Sequence, residues 1–158
     1  MSDLFSFPHP VNEYAARLVA AMVLLLILMI FLTNQTILLW VLFYGFSARV
    51  LTGPTLSPMG LMATKIIIPA CGNPSKPVAG PPKRFAQLIG FLFTLFAIIA
   101  EFVFQSTNIA YLLISVIGTF AALESILGFC AGCYVFAHLM KYGLIPESTC
   151  EKCNNINI

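Results

Sequence analysis

Four of the five cysteines fall in two Cys-x-x-Cys pairs, Cys130 and Cys133 within Phe129-Cys-Ala-Gly-Cys-Tyr134, and Cys150 and Cys153 within Thr149-Cys-Glu-Lys-Cys-Asn154. Each pair alone has the spacing of a dithiol redox centre. The 16 residues between the pairs also fall inside the range of roughly 15 to 20 that lets two such pairs wrap one tetrahedral metal ion. Two chemistries follow. In one, the four cysteines are catalytic thiols that exchange disulfides or transfer sulfur, with Cys150 and Cys153 as a shuttle pair on the tail. In the other, four thiolates hold structural zinc or iron. A third possibility is a small scaffold subunit of a larger membrane complex, its cysteines holding its shape.

The elements that position these sulfurs are membrane elements. Of the 158 residues 59% are hydrophobic and only 9% charged, against about 25% charged in a soluble domain; the mean hydropathy is +0.94. The length allows one domain, 1–158, and a net charge of +2 gives no argument for nucleic acid as a partner. The expected fold is all-α, integral to the membrane: two helical hairpins of four transmembrane helices at 15–32, 37–51, 85–104 and 109–142. The polar turns Thr33-Asn-Gln-Thr36 and Gln105-Ser-Thr-Asn108 close the hairpins. The segment 53–84 reads as a loop, with a short interfacial or re-entrant helix at Leu56 to Ile68 and a run holding five prolines from Pro69 to Arg84. At 1.5 Å per residue the fourth helix would be roughly 50 Å long. Its last third must therefore leave the bilayer or bend, and Gly128 and Gly132 are the places for the bend. Residues 143–158 form the cysteine-containing tail.

None of the eight Lys and Arg lies in either short turn, so the positive-inside bias puts both termini and the long loop on the cytoplasmic side of the membrane. The N-terminus lacks the basic region and cleavage site of a signal peptide, which makes the first span an anchor. All five cysteines, Cys71 included, then face a reducing compartment, where structural disulfides are disfavoured. A cytoplasmic thiol or sulfur-carrier protein is the matching partner.

Three charges fall at one depth. Counted from the outer turns, Arg17, Arg49 and Glu124 all lie roughly 20 to 24 Å in, which predicts a structural ion pair pinning three helices. Glu124 has a second possible role, as proton donor or anion site beside the cysteines. Gly118, Ala121, Ser125, Gly128 and Gly132 form a small-residue stripe for close helix approach. On the third span, Gln87, Gly90, Thr94, Ala97 and Glu101 line a face directed to the bundle interior. His9 and His138 read as interfacial histidines rather than ligands.

The run Leu123-Glu-Ser-Ile-Leu-Gly-Phe-Cys-Ala-Gly-Cys-Tyr134, followed by Gly143-Leu-Ile-Pro-Glu-Ser-Thr-Cys-Glu-Lys-Cys153, resembles the signature of a bacterial membrane family known only as a domain of unknown function. Val11-Asn-Glu13 with Arg17, the Arg49 region with Gly53-Pro54 and Ser57-Pro58, and Pro82-Lys-Arg-Phe85 extend the resemblance over most of the chain. It implies a bacterial inner membrane as the setting and a shared role for these positions, and brings no established activity.

Overall fold

The computed structural model describes residues 10–144, so His9, Cys150 and Cys153 lie outside the described residues. Six helices follow in order: α1 (Glu13–Thr33), α2 (Leu38–Thr52), α3 (Pro58–Ala70), α4 (Gly80–Phe102), α5 (Thr107–Leu127) and α6 (Ala131–Lys141). Three of them, α1, α4 and α5, are long and apolar enough to cross a membrane. The second helix, with 15 residues, spans only about 22 Å.

The helix ends follow from local chemistry. Asn12 caps α1 by accepting from the Tyr14 N–H at 3.1 Å, and Asn34 ends it in the left-handed region, φ 52°, which asparagine tolerates better than most residues. Helix α4 begins at Gly80, five residues before the expected start, because Pro81 and Pro82 occupy its first turn. There proline's missing N–H costs nothing and its fixed φ suits a helix. Prolines that look like loop residues in the sequence therefore open a transmembrane-length helix. The segment α3 starts with Pro58 behind the cap Ser57 and widens to a π-helical turn over Met62–Ile67. A short antiparallel pairing of β1 (Val11–Asn12) with β2 (Pro77–Val78) ties the start of α1 to the segment leading into α4. The Glu13–Lys76 ion pair at 2.7 Å and the bond from the Asn12 side-chain amide to the Pro74 carbonyl reinforce it.

The core lies where α1 packs on α5 and α2 on α4, with α4 also crossing α5 and α6. Ile27, Ile30, Leu39, Leu42 and Ile114 are fully buried there. In a bilayer the lipid tails are as apolar as these side chains, so close packing rather than expulsion from water holds the helices together. The interior face expected on the third span is present: Gly90, Thr94 and Ala97 are buried, and a Cβ on Gly90 would overlap the Phe46 ring of α2. Thr94 satisfies its hydroxyl on the Gly90 carbonyl at 2.7 Å, so no polar atom of it is left unpaired in the core.

In place of one long fourth helix there are two. Gly128 adopts φ 71° and ends α5, a conformation that costs a residue with a Cβ roughly 1 to 2 kcal/mol. Four of the last α5 carbonyls, those of Leu123 to Ile126, find donors. Phe129 N–H takes Leu123 O and Gly128 N–H takes Glu124 O, while the Arg17 guanidinium donates to Ser125 O and Ile126 O, the latter at 2.7 Å. A cation at a helix C-terminus also meets the negative end of its dipole. The chain restarts as α6 with Cys130 as its cap.

Candidate thiol site

Cys130 stands outside the helical run and Cys133 three residues on, at the N3 position of α6. In an unbroken helix the Cys133 N–H would bond the carbonyl four residues back. Here it is one of the orphan donors of a new helix, and the Cys130 sulfur accepts it at 3.3 Å. Both cysteines are free thiols and half-buried. The Cys133 thiol also hydrogen-bonds the Cys130 sulfur, and this pushes Cys130 below the ordinary thiol range. Lys83 and the Cys133 N–H act in the same direction, while burial and the Glu124 charge oppose them. Cys133 moves the other way, pushed up by that same hydrogen bond, by burial and by the neighbouring sulfur. Negative charge is thus favoured on Cys130 over Cys133, a bias suited to thiol exchange.

Beside the sulfurs sits a buried ion pair that the sequence pattern did not disclose. Lys83 in the first turn of α4 reaches Glu124 near the end of α5 at 2.5 Å, with the two side chains only 9% and 14% exposed. The charge cluster expected from Arg17, Arg49 and Glu124 is arranged differently. Glu124 has Lys83 as its salt-bridge partner. Arg17 is spent on the α5 carbonyls, and Arg49 lies 4% exposed with its Nε donating to Gln87 Oε1 at 2.7 Å and Nη1 to Ser57 Oγ at 3.3 Å. The Arg49 guanidinium also stacks over the Phe46 ring, 4.6 Å from its centre, and its Nη2 is buried without a hydrogen bond. The physical reason is register: opening α4 at Gly80 brings Lys83 to the depth of Glu124, a position the sequence pattern assigned to loop. Proline at the first helical position was the signal that could have found it.

Glu124 and Cys130 both line one cavity of about 130 Å³ between α1, α2, α4, α5 and α6. The small-residue stripe serves its packing role in two directions. Gly118 faces Ile27 of α1, and Gly132 meets the α4 backbone at Ala86, where an added Cβ would lie 2.6 Å from the Ala86 Cα. That approach seats the first turn of α6, and with it the dithiol, against the Lys83 turn of α4. His138 bonds its own helix at the Tyr134 carbonyl, 3.0 Å away, and Cys71 is exposed after α3. Among the described residues no three His, Cys, Asp or Glu side chains are grouped to hold a metal ion. Cys130 and Cys133 could supply two thiolates, and the zinc or iron expectation depends on Cys150 and Cys153, outside the described residues.

The profile of a domain of unknown function, DUF4395, matches residues 11–141. The chain belongs to the DUF4395 family. The match takes in Arg17, Arg49, Lys83, Glu124, Cys130 and Cys133 and stops short of Cys150 and Cys153. No curated protein and no solved structure matches the chain.

Proposed function

We propose that this DUF4395 protein is a membrane dithiol protein that exchanges disulfides, or passes sulfur, at the cytoplasmic face of a bacterial inner membrane. The observation that carries the reading is the Cys130 sulfur capping α6 through the Cys133 N–H beside the Lys83–Glu124 pair. A thiolate there is favoured by an N–H donor, by the positive end of a helix and by a buried ammonium.

In the exchange, the Cys130 thiolate attacks one sulfur of a partner disulfide. A Cys130–partner S–S bond forms as the partner's S–S bond breaks, and the partner's other sulfur leaves as a thiolate. Cys133 then loses its proton and attacks Cys130. The Cys130–Cys133 disulfide forms, the mixed disulfide breaks, and the partner departs reduced by two electrons. Every step is reversible, so a dithiol partner runs the sequence backwards. Cys150 and Cys153 are the natural intrachain dithiol for that return, and a cytoplasmic thiol or sulfur-carrier protein the natural external one.

The proposed setting is two hairpins of four membrane-crossing segments, α1 with α2 and α4 with α5. The third-to-fourth turn and the first-to-second turn carry no Lys or Arg, which supports placing the thiol end and both termini inside. Protein purified anaerobically without chelator tests the reading. It should hold less than about half an equivalent of zinc or iron, alkylate at four or more cysteines under native conditions, and reduce an aromatic disulfide in a Cys130-dependent way. One tightly held metal per chain, with all four paired cysteines protected until denaturation, would overturn it.

A further inference from the structure

We propose that the cavity beside Cys130 binds the ring of a quinone-class electron acceptor dissolved in the bilayer, an inference that rests on the dithiol reading. Size is the first reason. The cavity of about 130 Å³ is close to the roughly 150 Å³ of an engineered apolar cavity that takes up benzene. Most of its wall is hydrocarbon, including Val23, Ile117 and the Phe46 and Phe93 rings, and such a wall favours a flat apolar guest over a hydrated anion.

The polar groups are few and suited to a carbonyl-bearing ring. They are Gln87, Glu124 and Cys130. Arg49 holds Gln87 by its carbonyl oxygen, which leaves the amide N–H₂ as the free end of that side chain and a donor for a ring oxygen. Entry from the lipid fits two wall residues, Phe120 of α5 and Val135 of α6, which line the cavity, are 43% and 45% exposed and present apolar surface outward.

The chemistry balances. Going from the dithiol to the Cys130–Cys133 disulfide releases two electrons and two protons overall, the first proton leaving when Cys130 becomes the thiolate and the second from the Cys133 S–H. A quinone accepts both pairs and leaves as the quinol. Glu124, on the cavity wall and joined to Lys83, is the carboxylate placed to take a proton released by the dithiol and hand it on to the ring. Net flow then runs from a cytoplasmic dithiol, through Cys130 and Cys133, into the bilayer.

The test uses the full chain in quinone-free liposomes, reduced and cleared of reductant, with a short-tailed benzoquinone added. Quinol formation and reduction of an aromatic disulfide are followed in parallel samples. The expected result is one quinol per intrachain disulfide formed, counting both cysteine pairs, and no quinol with Cys130→Ser. Val116→Trp at the half-buried wall and Ala121→Phe deeper in should each lower the ratio of quinone reduction to disulfide reduction by about tenfold or more, the scale on which a filled pocket discriminates. Quinol formation no faster than in Cys130→Ser overturns the proposal. So does a ratio unchanged by both filling variants, which would mark the cavity as a space for an acyl chain. Loss of disulfide reduction in the unaltered protein is a different failure and overturns the dithiol reading itself.

Discussion

Replacing Lys83 with methionine removes the ammonium from the Lys83–Glu124 pair and keeps a side chain of similar length. At an effective dielectric of about 20, unit charges 4 Å apart attract by about 4 kcal/mol, and this pair is closer, at 2.5 Å. Glu124 is only 14% exposed in its side chain, so water replaces the lost partner only in part. Lys83→Met should therefore cost about 3 to 5 kcal/mol of unfolding free energy, the usual loss when half of a buried pair is removed. Glu124→Gln in the Lys83→Met background should recover much of it, because the charge left stranded is gone.

Denaturant titration in mixed micelles, followed by helical circular dichroism, gives the four corners of the cycle. The coupling between Lys83 and Glu124 should exceed about 1.5 kcal/mol, well outside the 0.3 to 0.5 kcal/mol scatter of independent sites. The matching Arg49→Met and Glu124→Gln cycle should give a smaller coupling, since Arg49 spends its donors on Gln87 and Ser57. A larger coupling for Arg49 than for Lys83, or a Lys83–Glu124 double variant no better than the worse single one, would refute the assignment of Lys83 as the partner.

Alkylation of Cys130 should follow a pH profile with its midpoint below the roughly 8.5 of a free thiol, and Lys83→Met should move it upward, because Lys83 favours the thiolate; mass spectrometry of the modified peptide reads both. The same depression means that Cys130 stabilises the fold above the unfolded thiol's pKa and that this contribution is lost as pH falls through the folded value. Gly132→Val should cost about 1 to 3 kcal/mol by overpacking, since its Cβ would meet the Ala86 backbone, and should slow Cys130 exchange by shifting α6. An impermeant maleimide should label the exposed Cys71 only from the cytoplasmic side of oriented vesicles; labelling from the other side reverses the proposed orientation.

Much of the fold was legible because membrane helices announce themselves by composition. The runs around Leu24, Phe93 and Ile114 fall in the three helices long and apolar enough to cross a membrane, the run around Leu42 falls in the shorter α2, and the polar turns at 33–36 and 105–108 divide them. The bend at Gly128 was legible as a place and not as a geometry: glycine permits φ 71°, and Arg17, arriving from α1, takes two of the carbonyls at the stop. That contact joins residues 109 apart, beyond any local periodicity. The Lys83–Glu124 pair was hidden for a comparable reason. A run dense in proline looks like loop, and the first-turn preference of Pro81 and Pro82 decides otherwise only when the apolar run after them is long enough to continue as a helix.

The thiol site depends on this break in the helix rather than on the cysteine spacing alone. Two cysteines three apart inside a continuous helix share a face, yet each backbone N–H is then committed to a carbonyl four residues back and none is left for a sulfur. Once Gly128 ends α5, the first donors of α6 are unclaimed, and Cys130, standing in extended conformation at φ −99°, ψ 101°, turns its sulfur onto the N–H of Cys133. The residue that stops one helix thereby sets the positive end of the next at the Cys130 sulfur. Gly132 supplies the remaining condition. Without a Cβ it lets α6 press on Ala86, three residues beyond Lys83, so the dithiol, its buried cation and Glu124 are brought together by two glycines that carry no chemistry of their own.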